Sequence, residues 1–315
     1  MNDSFTTLHE VGGTIRVPRL GYGAMQLAGH RVLGPPDDVP NAIAVLRTAV
    51  DLGVRFFDTA NAYGPRTVNQ LIGEALSPYA DDVVIGNKVG PWRTPDGGWT
   101  TDHRPGFIRS QVEDAARDLR TDVSRLTYLR LGGDGLAPSV DIPLEEALGT
   151  LIDLRNEGKI THIGLSGASP KALQQALRMT PIAAVENRYN LVDRSGVEVL
   201  ADCERLGIAF VPFWPLAFGN LGDVPELAAL AKRLGVSTST VALAWLLRRS
   251  SAIIPIPGTK SLEHLRDNVA ALEVAPKLTA EEVAHLTGAI DESGRRRTNS
   301  PGSRRRASHR RLERT

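Results

Sequence analysis

Three residues able to share proton chemistry, Asp58, Tyr63 and Lys88, lie close together in this sequence. Asp58 ends a short apolar run, residues 54–57, and Asn61-Ala62-Tyr63-Gly64 follows as a turn-prone segment. Lys88 closes a second apolar run, residues 83–89, within Gly86-Asn87-Lys88. A free phenol has a pKa near ~10, too high for efficient acid catalysis at neutral pH. A buried ammonium beside it favours phenolate and is expected to lower that pKa, and a carboxylate beside the ammonium keeps the lysine charged. Such a tyrosine gives its proton to an oxygen on which charge develops. Singly, each residue has a plainer account: a helix-capping acid, a core aromatic with a wet tip, a solvated strand-end lysine. Together at adjacent strand ends they read as a catalytic constellation.

The elements that must bring them together follow one pattern. Short apolar runs at 20–24, 54–58, 83–89, 126–131, 162–166, 183–189, 208–212 and 252–256 alternate with helix-periodic segments. Strict alternation predicts a parallel sheet, and eight such pairs close a barrel. An open doubly wound sheet would want a Gly-rich dinucleotide fingerprint after the first strand, and Gly21-Tyr22-Gly23-Ala24-Met25-Gln26 is not one. The expectation is an α/β chain, an (α/β)8 TIM barrel with an N-terminal β-hairpin turning at Gly12-Gly13. Consecutive strand ends then meet at one mouth, with Asp58, Tyr63 and Lys88 side by side. Long connections at 25–40, 90–106 and 214–224 would lie over that mouth, carrying Trp92, Trp99, Trp214 and Phe218 as pocket walls or rim anchors.

Composition narrows the class. The 315 residues are 42% hydrophobic, enough for a sizeable core, and carry a net charge of +1. That figure hides an asymmetry: residues 294–315 hold nine arginines against one acid, Glu313, and the remainder is mildly acidic. The domain reading is one barrel over 1–293 and a basic, disordered tail over 294–315. Basic tails bind phosphate backbones nonspecifically, but no nucleic-acid recognition motif accompanies this one. The lone cysteine, Cys203, sits in a helical pattern as a buried structural thiol, with no cysteine-based metal site expected. The N-terminus lacks a signal-peptide layout and no apolar run reaches membrane-spanning length, so a cytoplasmic protein is expected.

The segment Phe57-Asp58-Thr59-Ala60-Asn61-Ala62-Tyr63-Gly64 is similar to the D-T-A-x-x-Y-G signature of the aldo-keto reductases, and Asn87-Lys88 resembles that family's lysine strand. The resemblance runs from about Arg19 to Ile290. It implies the (α/β)8 barrel, NADPH bound without a Rossmann domain, and hydride transfer to a carbonyl of a small molecule with Tyr63 as acid. It further implies a nicotinamide held by Ser166 and Glu186, where glycine (Gly167) and glutamate replace the family's usual asparagine and glutamine. Phe213, Pro215 and Leu216 match a loop near the pyrophosphate. Gly258, Thr259, Lys260, His264, Asp267 and Asn268 match the segment around the adenosine 2′-phosphate. The fourth strand departs: Arg130 stands where the family places a histidine that orients the substrate carbonyl. The opening from Arg19 to Pro36, with that arginine, resembles the family's bacterial pyridoxal reductase branch, which makes pyridoxal a candidate substrate. A rival reading is an NADPH-binding regulatory protein with little turnover, because three departures surround the nicotinamide and substrate.

Overall fold

The computed structural model describes residues 5–133, 135–221 and 224–298. The chain opens with a hairpin, β1 (Leu8–Val11) and β2 (Ile15–Pro18). Then follow β3 (Tyr22–Gly23), α1 (Val39–Asp51), β4 (Phe56–Ala60), α2 (Thr67–Leu76) and β5 (Val84–Val89). A second hairpin, β6 (Pro91–Arg93) and β7 (Trp99–Thr101), precedes α3 (Pro105–Leu119). The alternation resumes with β8 (Ser124–Arg130), α4 (Leu144–Asn156), β9 (Ile160–Ser166), α5 (Pro170–Leu177), β10 (Ala184–Arg188), α6 (Val197–Leu206) and β11 (Ala209–Phe213). Five helices end the chain: α7 (Pro225–Leu234), α8 (Thr238–Arg249), α9 (Leu262–Val269), α10 (Ala271–Val274) and α11 (Ala280–Thr298). Helix starts follow local chemistry: Asp38, Ser169, Ser237 and Ser261 each accept a backbone N–H three residues on. Among the described residues no helix is long and apolar enough to cross a membrane.

The strands β3-β4-β5-β8-β9-β10-β11 form one parallel sheet in that order. The eighth run, 252–256, is not a ladder strand; only Ile253 bridges Phe210. Its sequence gives the reason. Pro255 and Pro257 have no N–H to donate, so the segment accepts on one side and donates little on the other. It still closes the barrel: Gly21 N donates to Pro255 O at 2.9 Å and Gly23 N to Pro257 O at 3.3 Å, while Ile254 N reaches Phe210 O at 2.9 Å. The fold is an (α/β)8 barrel with one stave built from extended, proline-bearing chain. The expected first strand, 20–24, shortens to β3 for the same reason.

The two-residue strand period separates two kinds of packing. Phe56, Val84, Leu126, Tyr128, Ala184, Val211 and Ile254 fill the barrel interior, joined by Val11, Ile15 and Val17 of the first hairpin. The hairpin therefore plugs the N-terminal end. The alternate residues Phe57 and Ile85 pack under α1 and α2 with Val45, Leu46 and Ile72, and Leu129, Leu165 and Phe210 pack outward into a larger cluster holding Trp245 and Cys203. Gly164 and Gly86 make room for the Tyr128 ring; a Cβ would stand 2.5 and 2.9 Å from it, respectively. The expected last helix, 279–290, is α11, which runs on to Thr298, into the basic segment that starts at 294. Residues 299–315 of that segment lie outside the described residues.

One buried cation ties the start of the barrel to its end. Arg19, 2% exposed, donates to Thr6 O at 3.2 Å, Leu247 O at 2.7 Å, Ile253 O at 3.3 Å and also to Ser250 O. Burial, with Arg248 adding to it, lowers its pKa to about 10. Replacing the guanidinium strands four carbonyls. We expect Arg19→Met to lose about 2–4 kcal/mol of unfolding free energy in a urea titration with an unchanged slope. A loss under about 0.5 kcal/mol would show that the carbonyls find other partners.

Candidate active site

The same period that builds the interior aims the site. Asp58 follows Phe56 on the inward face of β4, and Lys88 follows Val84 and Gly86 on β5. Arg130 follows Leu126 and Tyr128 on β8, and Glu186 follows Ala184 on β10. Register places Arg130, Ser166 and Glu186 in one row across β8, β9 and β10. All these side chains are buried, at 8% exposure or less. Lys88 Nζ contacts Asp58 Oδ1 directly, lies 3.2 Å from Glu186 Oε2 and sits 5.3 Å from the centre of the Tyr63 ring. The expected trio therefore meets, and Glu186 joins it as a second carboxylate.

Electrostatics differ from the expectation at Tyr63. Burial pushes its pKa up to about 12; the Lys88 ammonium opposes this, and the charges of Asp58 and Glu186 add to it. The sequence-based argument counted the lysine and not the loss of water or the paired acids. The phenol accordingly holds its proton throughout the neutral range. Burial also opposes the charge on Lys88, but Asp58 and Glu186, with Tyr63, outweigh it and raise the lysine pKa. Burial is likewise the main cause raising Glu186 to about 8, with Asp58 adding to it and Lys88 and Arg130 pulling it back.

Behind the inward face a buried amide network fixes the strand ends. Thr59 Oγ1 donates to Asn69 Oδ1 at 2.7 Å, Asn69 Nδ2 to Asn87 Oδ1 at 3.1 Å, and Asn87 Nδ2 to Asn61 Oδ1 at 2.8 Å. Asn61 Nδ2 reaches Gln111 O at 2.8 Å, and the Gln111 side chain accepts from Gly90 N at 2.6 Å. These residues bracket Asp58 and Lys88 in sequence. His103, 2% exposed, places Nε2 2.9 Å from Arg130 O; a carbonyl only accepts, so Nε2 carries the proton. Burial lowers the His103 pKa, so the ring is neutral. The sequence reading missed Asn69, Gln111 and His103, whose partners lie on other elements; for Asn69 and Gln111 the local signal is a polar residue on a helix face that must be buried, and His103, in the loop before α3, has none.

Arg130 Nη1 donates to Leu131 O at 2.7 Å and Ser166 O at 3.3 Å, and its guanidinium carbon is 6.0 Å from the centre of the Phe213 ring. Trp214 meets Phe213 edge-on at 5.4 Å and Phe218 at a tilt at 4.4 Å, and Arg188 lies 4.9 Å over its ring. Pro215 is buried and Leu216 half-buried beside them. Of the other expected aromatic walls, Trp99 lies under Arg93 at 4.1 Å and Trp92 packs edge-on against Phe107, so both anchor loop 90–106. Gly167, φ 71°, occupies the left-handed region that glycine or asparagine adopts cheaply, which accounts for glycine at that turn. The distal segment is ordered around the start of α9: Thr259 Oγ1 accepts from Ser261 N at 3.0 Å, Ser261 caps the helix at His264 N, and Asn41 holds Lys260 O at 2.9 Å. Lys260 and His264 are exposed there, Gly258 and Asp267 half-buried, Thr259 and Asn268 buried.

A family model described as the aldo/keto reductase family matches residues 19–291. The chain belongs to the aldo/keto reductase family. It is an oxidoreductase by that membership. It is 42% identical over 277 residues to pyridoxine 4-dehydrogenase of Escherichia coli, covering 88% of this chain and 96% of that one. Among solved structures it is similar to a thermostable aldo-keto reductase in complex with the inhibitor epalrestat, with a TM-score of 0.79, 28% identity and coverage of 90% and 100% of the two chains. It is also similar to an aldo/keto reductase from Klebsiella pneumoniae in complex with NADP and acetate, with a TM-score of 0.75, 26% identity and coverage of 90% and 95%. Among the described residues of this aldo/keto reductase, four buried oxygens on neighbouring strands have no hydrogen-bond partner: Asp58 Oδ2, Tyr128 Oη, Ser166 Oγ and Glu186 Oε2. Glu186 Oε2 makes its 3.2 Å contact with Lys88 as charge attraction without hydrogen-bond alignment.

The amide network gives a prediction about positioning. Asn69→Leu removes the group that joins Thr59 to Asn87 without touching the inward face. Two buried polar groups then lose partners, at a cost of about 1–3 kcal/mol each. We expect the melting temperature to fall and kcat to fall with little change in cofactor affinity. An unchanged melting temperature and kcat would mean that the strand ends are held by the barrel ladder alone.

Proposed function

We propose that this chain reduces an aldehyde or ketone to the alcohol with NADPH, with Tyr63 as the proton donor. The observation that carries the reading is the contact set of Asp58, Lys88 and Tyr63 inside the barrel mouth. When bound, NADPH supplies a hydride to the carbonyl carbon. Tyr63 Oη gives its proton to the carbonyl oxygen as negative charge builds there, and the resulting phenolate lies beside the Lys88 ammonium until water returns a proton. Asp58 keeps Lys88 charged while both are out of water. Ser166 Oγ and Glu186, with unpaired oxygens, suit the donors and acceptors of a carboxamide, which supports the nicotinamide position. Phe213 offers a ring face beside them, and Pro215 and Leu216 continue that loop toward the diphosphate. Gly258, Thr259, Lys260, His264, Asp267 and Asn268 surround a helix start with a lysine before it, a site suited to a 2′-phosphate.

Pyridoxal is the candidate substrate. It combines an aldehyde with a ring hydroxyl that carries negative charge, and Arg130 offers a planar guanidinium near the aromatic group formed by Phe213 and Trp214. The similarity to pyridoxine 4-dehydrogenase supports the same chemistry. The reading predicts NADPH consumption with pyridoxal and a larger thermal shift with NADPH than with NADH at equal concentration. Equal shifts would remove the 2′-phosphate assignment. Tyr63→Phe should lower kcat by about 10²–10⁴ while NADPH affinity stays put; activity within a few-fold of wild type would place the proton donor elsewhere. Arg130→Lys keeps charge but loses the fork, so kcat/KM for pyridoxal should fall more than for a simple aromatic aldehyde. An equal fall for both would take Arg130 out of ring recognition.

A further inference from the structure

Two carboxylates share one ammonium in the site, and nothing in the hydride chemistry requires the second. Lys88 touches Asp58 and Glu186, each no more than 2% exposed. Both carboxyls reach the same Lys88 Nζ, so each lies close enough to act on the other's ionisation. One oxygen of each, Asp58 Oδ2 and Glu186 Oε2, lacks a hydrogen-bond donor. Two buried carboxylates gathered on one ammonium repel each other, and two like charges in a dry site do not both persist. A single proton resolves both defects, because a protonated carboxyl becomes a donor to its neighbour.

We propose that Glu186 carries a proton shared with Asp58, and that losing it makes the site favour the oxidised cofactor over the reduced one. This rests on the assignment of the strand-end mouth to the nicotinamide. The reduced ring is neutral and the oxidised ring is a cation, so a neutral Glu186 suits the first and an ionised Glu186 attracts the second. Neutral Glu186 donates its proton to Asp58 and leaves its other oxygen to accept from the carboxamide.

The groups facing Glu186 come from every neighbouring strand. Asp58 of β4 and its own burial favour the protonated form; Lys88 of β5 and Arg130 of β8 favour the ionised one. Tyr63 and Tyr128 lie within electrostatic reach, both raised by burial and both protonated through the neutral range. Ser166 on β9 and Val211 on β11, its register neighbours, do not titrate. With Glu186 raised to about 8, the switch falls in the mildly alkaline range. The sign follows: protonated below that value, ionised above it, so preference for the oxidised form rises with pH.

The test is binding, not turnover. Dissociation constants for NADP+ and NADPH are measured by calorimetry or cofactor fluorescence from about pH 6.5 to 9.5 in wild type and in Glu186→Gln, an isosteric neutral variant. Both cofactors carry the same phosphates, so phosphate titration cancels in the ratio. Wild type should shift its ratio toward NADP+ by about tenfold across that range, the effect of moving one pKa by one unit, and Glu186→Gln should stay flat. Should the variant fold poorly, wild type alone suffices. In two buffers of different ionisation heat, NADP+ binding near pH 8 should release a proton that NADPH binding does not. A pH-independent ratio in wild type, or equal proton release with both forms, overturns the inference while leaving the reductase reading intact. A ratio that still shifts in Glu186→Gln assigns the switch to another group and also overturns it. No binding of either cofactor would instead sink the functional reading on which it stands.

Discussion

The structure depends on one ammonium kept charged out of water. Lys88 is 5% exposed, and burial opposes its charge. Contact with Asp58 and Glu186 outweighs that opposition. A buried ion pair of this kind is seldom a source of net stability, since desolvation consumes most of the attraction. In the proposed reaction its worth lies in what it does to Tyr63, whose phenolate is disfavoured in a dry site without a neighbouring cation. The barrel is the means of bringing Asp58 of β4, Tyr63 of the loop after it, Lys88 of β5 and Glu186 of β10 to one point.

The rest of the architecture serves that convergence. Parallel register sets Asp58, Lys88, Arg130, Ser166 and Glu186 on inward positions near the same level. Tyr128 fills the interior beneath them, seated over two glycines, and the first hairpin seals the opposite end. The Thr59 hydroxyl of β4 and amides from α2, β5 and the loop after β4 lock the outward side of the same strand ends. The proline-bearing stave closes the barrel with few donors, and Arg19 reinforces it from outside. Rigid support behind a charged cluster is what preorganised catalysis needs, because the dipoles must be fixed before charge moves.

Much of this was legible in the chain. Alternating apolar runs specify a parallel barrel, and Asp58, Tyr63 and Lys88 stand out because two of them close apolar runs and the third follows one of those runs directly. The failures have physical causes. The eighth run reads as a strand by apolarity alone, but its prolines withhold the ladder bonds. The 90–106 connection reads as a loop, although Trp92 and Trp99 lie in the two strands of a short hairpin held by Arg93. The direction of the Tyr63 shift depends on how much water the fold excludes, which sequence spacing does not report. Asn69 and His103 find partners only after three elements pack, so no local pattern marks them.

The central claim is that the buried charges serve chemistry and not stability. It is tested most directly by comparing Lys88→Met with the double variant Lys88→Met/Asp58→Leu for both unfolding free energy and NADPH-dependent carbonyl reduction. Lys88→Met alone is expected to lose about 3–5 kcal/mol, because it leaves the buried Asp58 and Glu186 without their shared cation. The double variant should regain most of that stability and remain without measurable reductase activity. A double variant that is stable and reduces carbonyls within a few-fold of wild type would contradict the account.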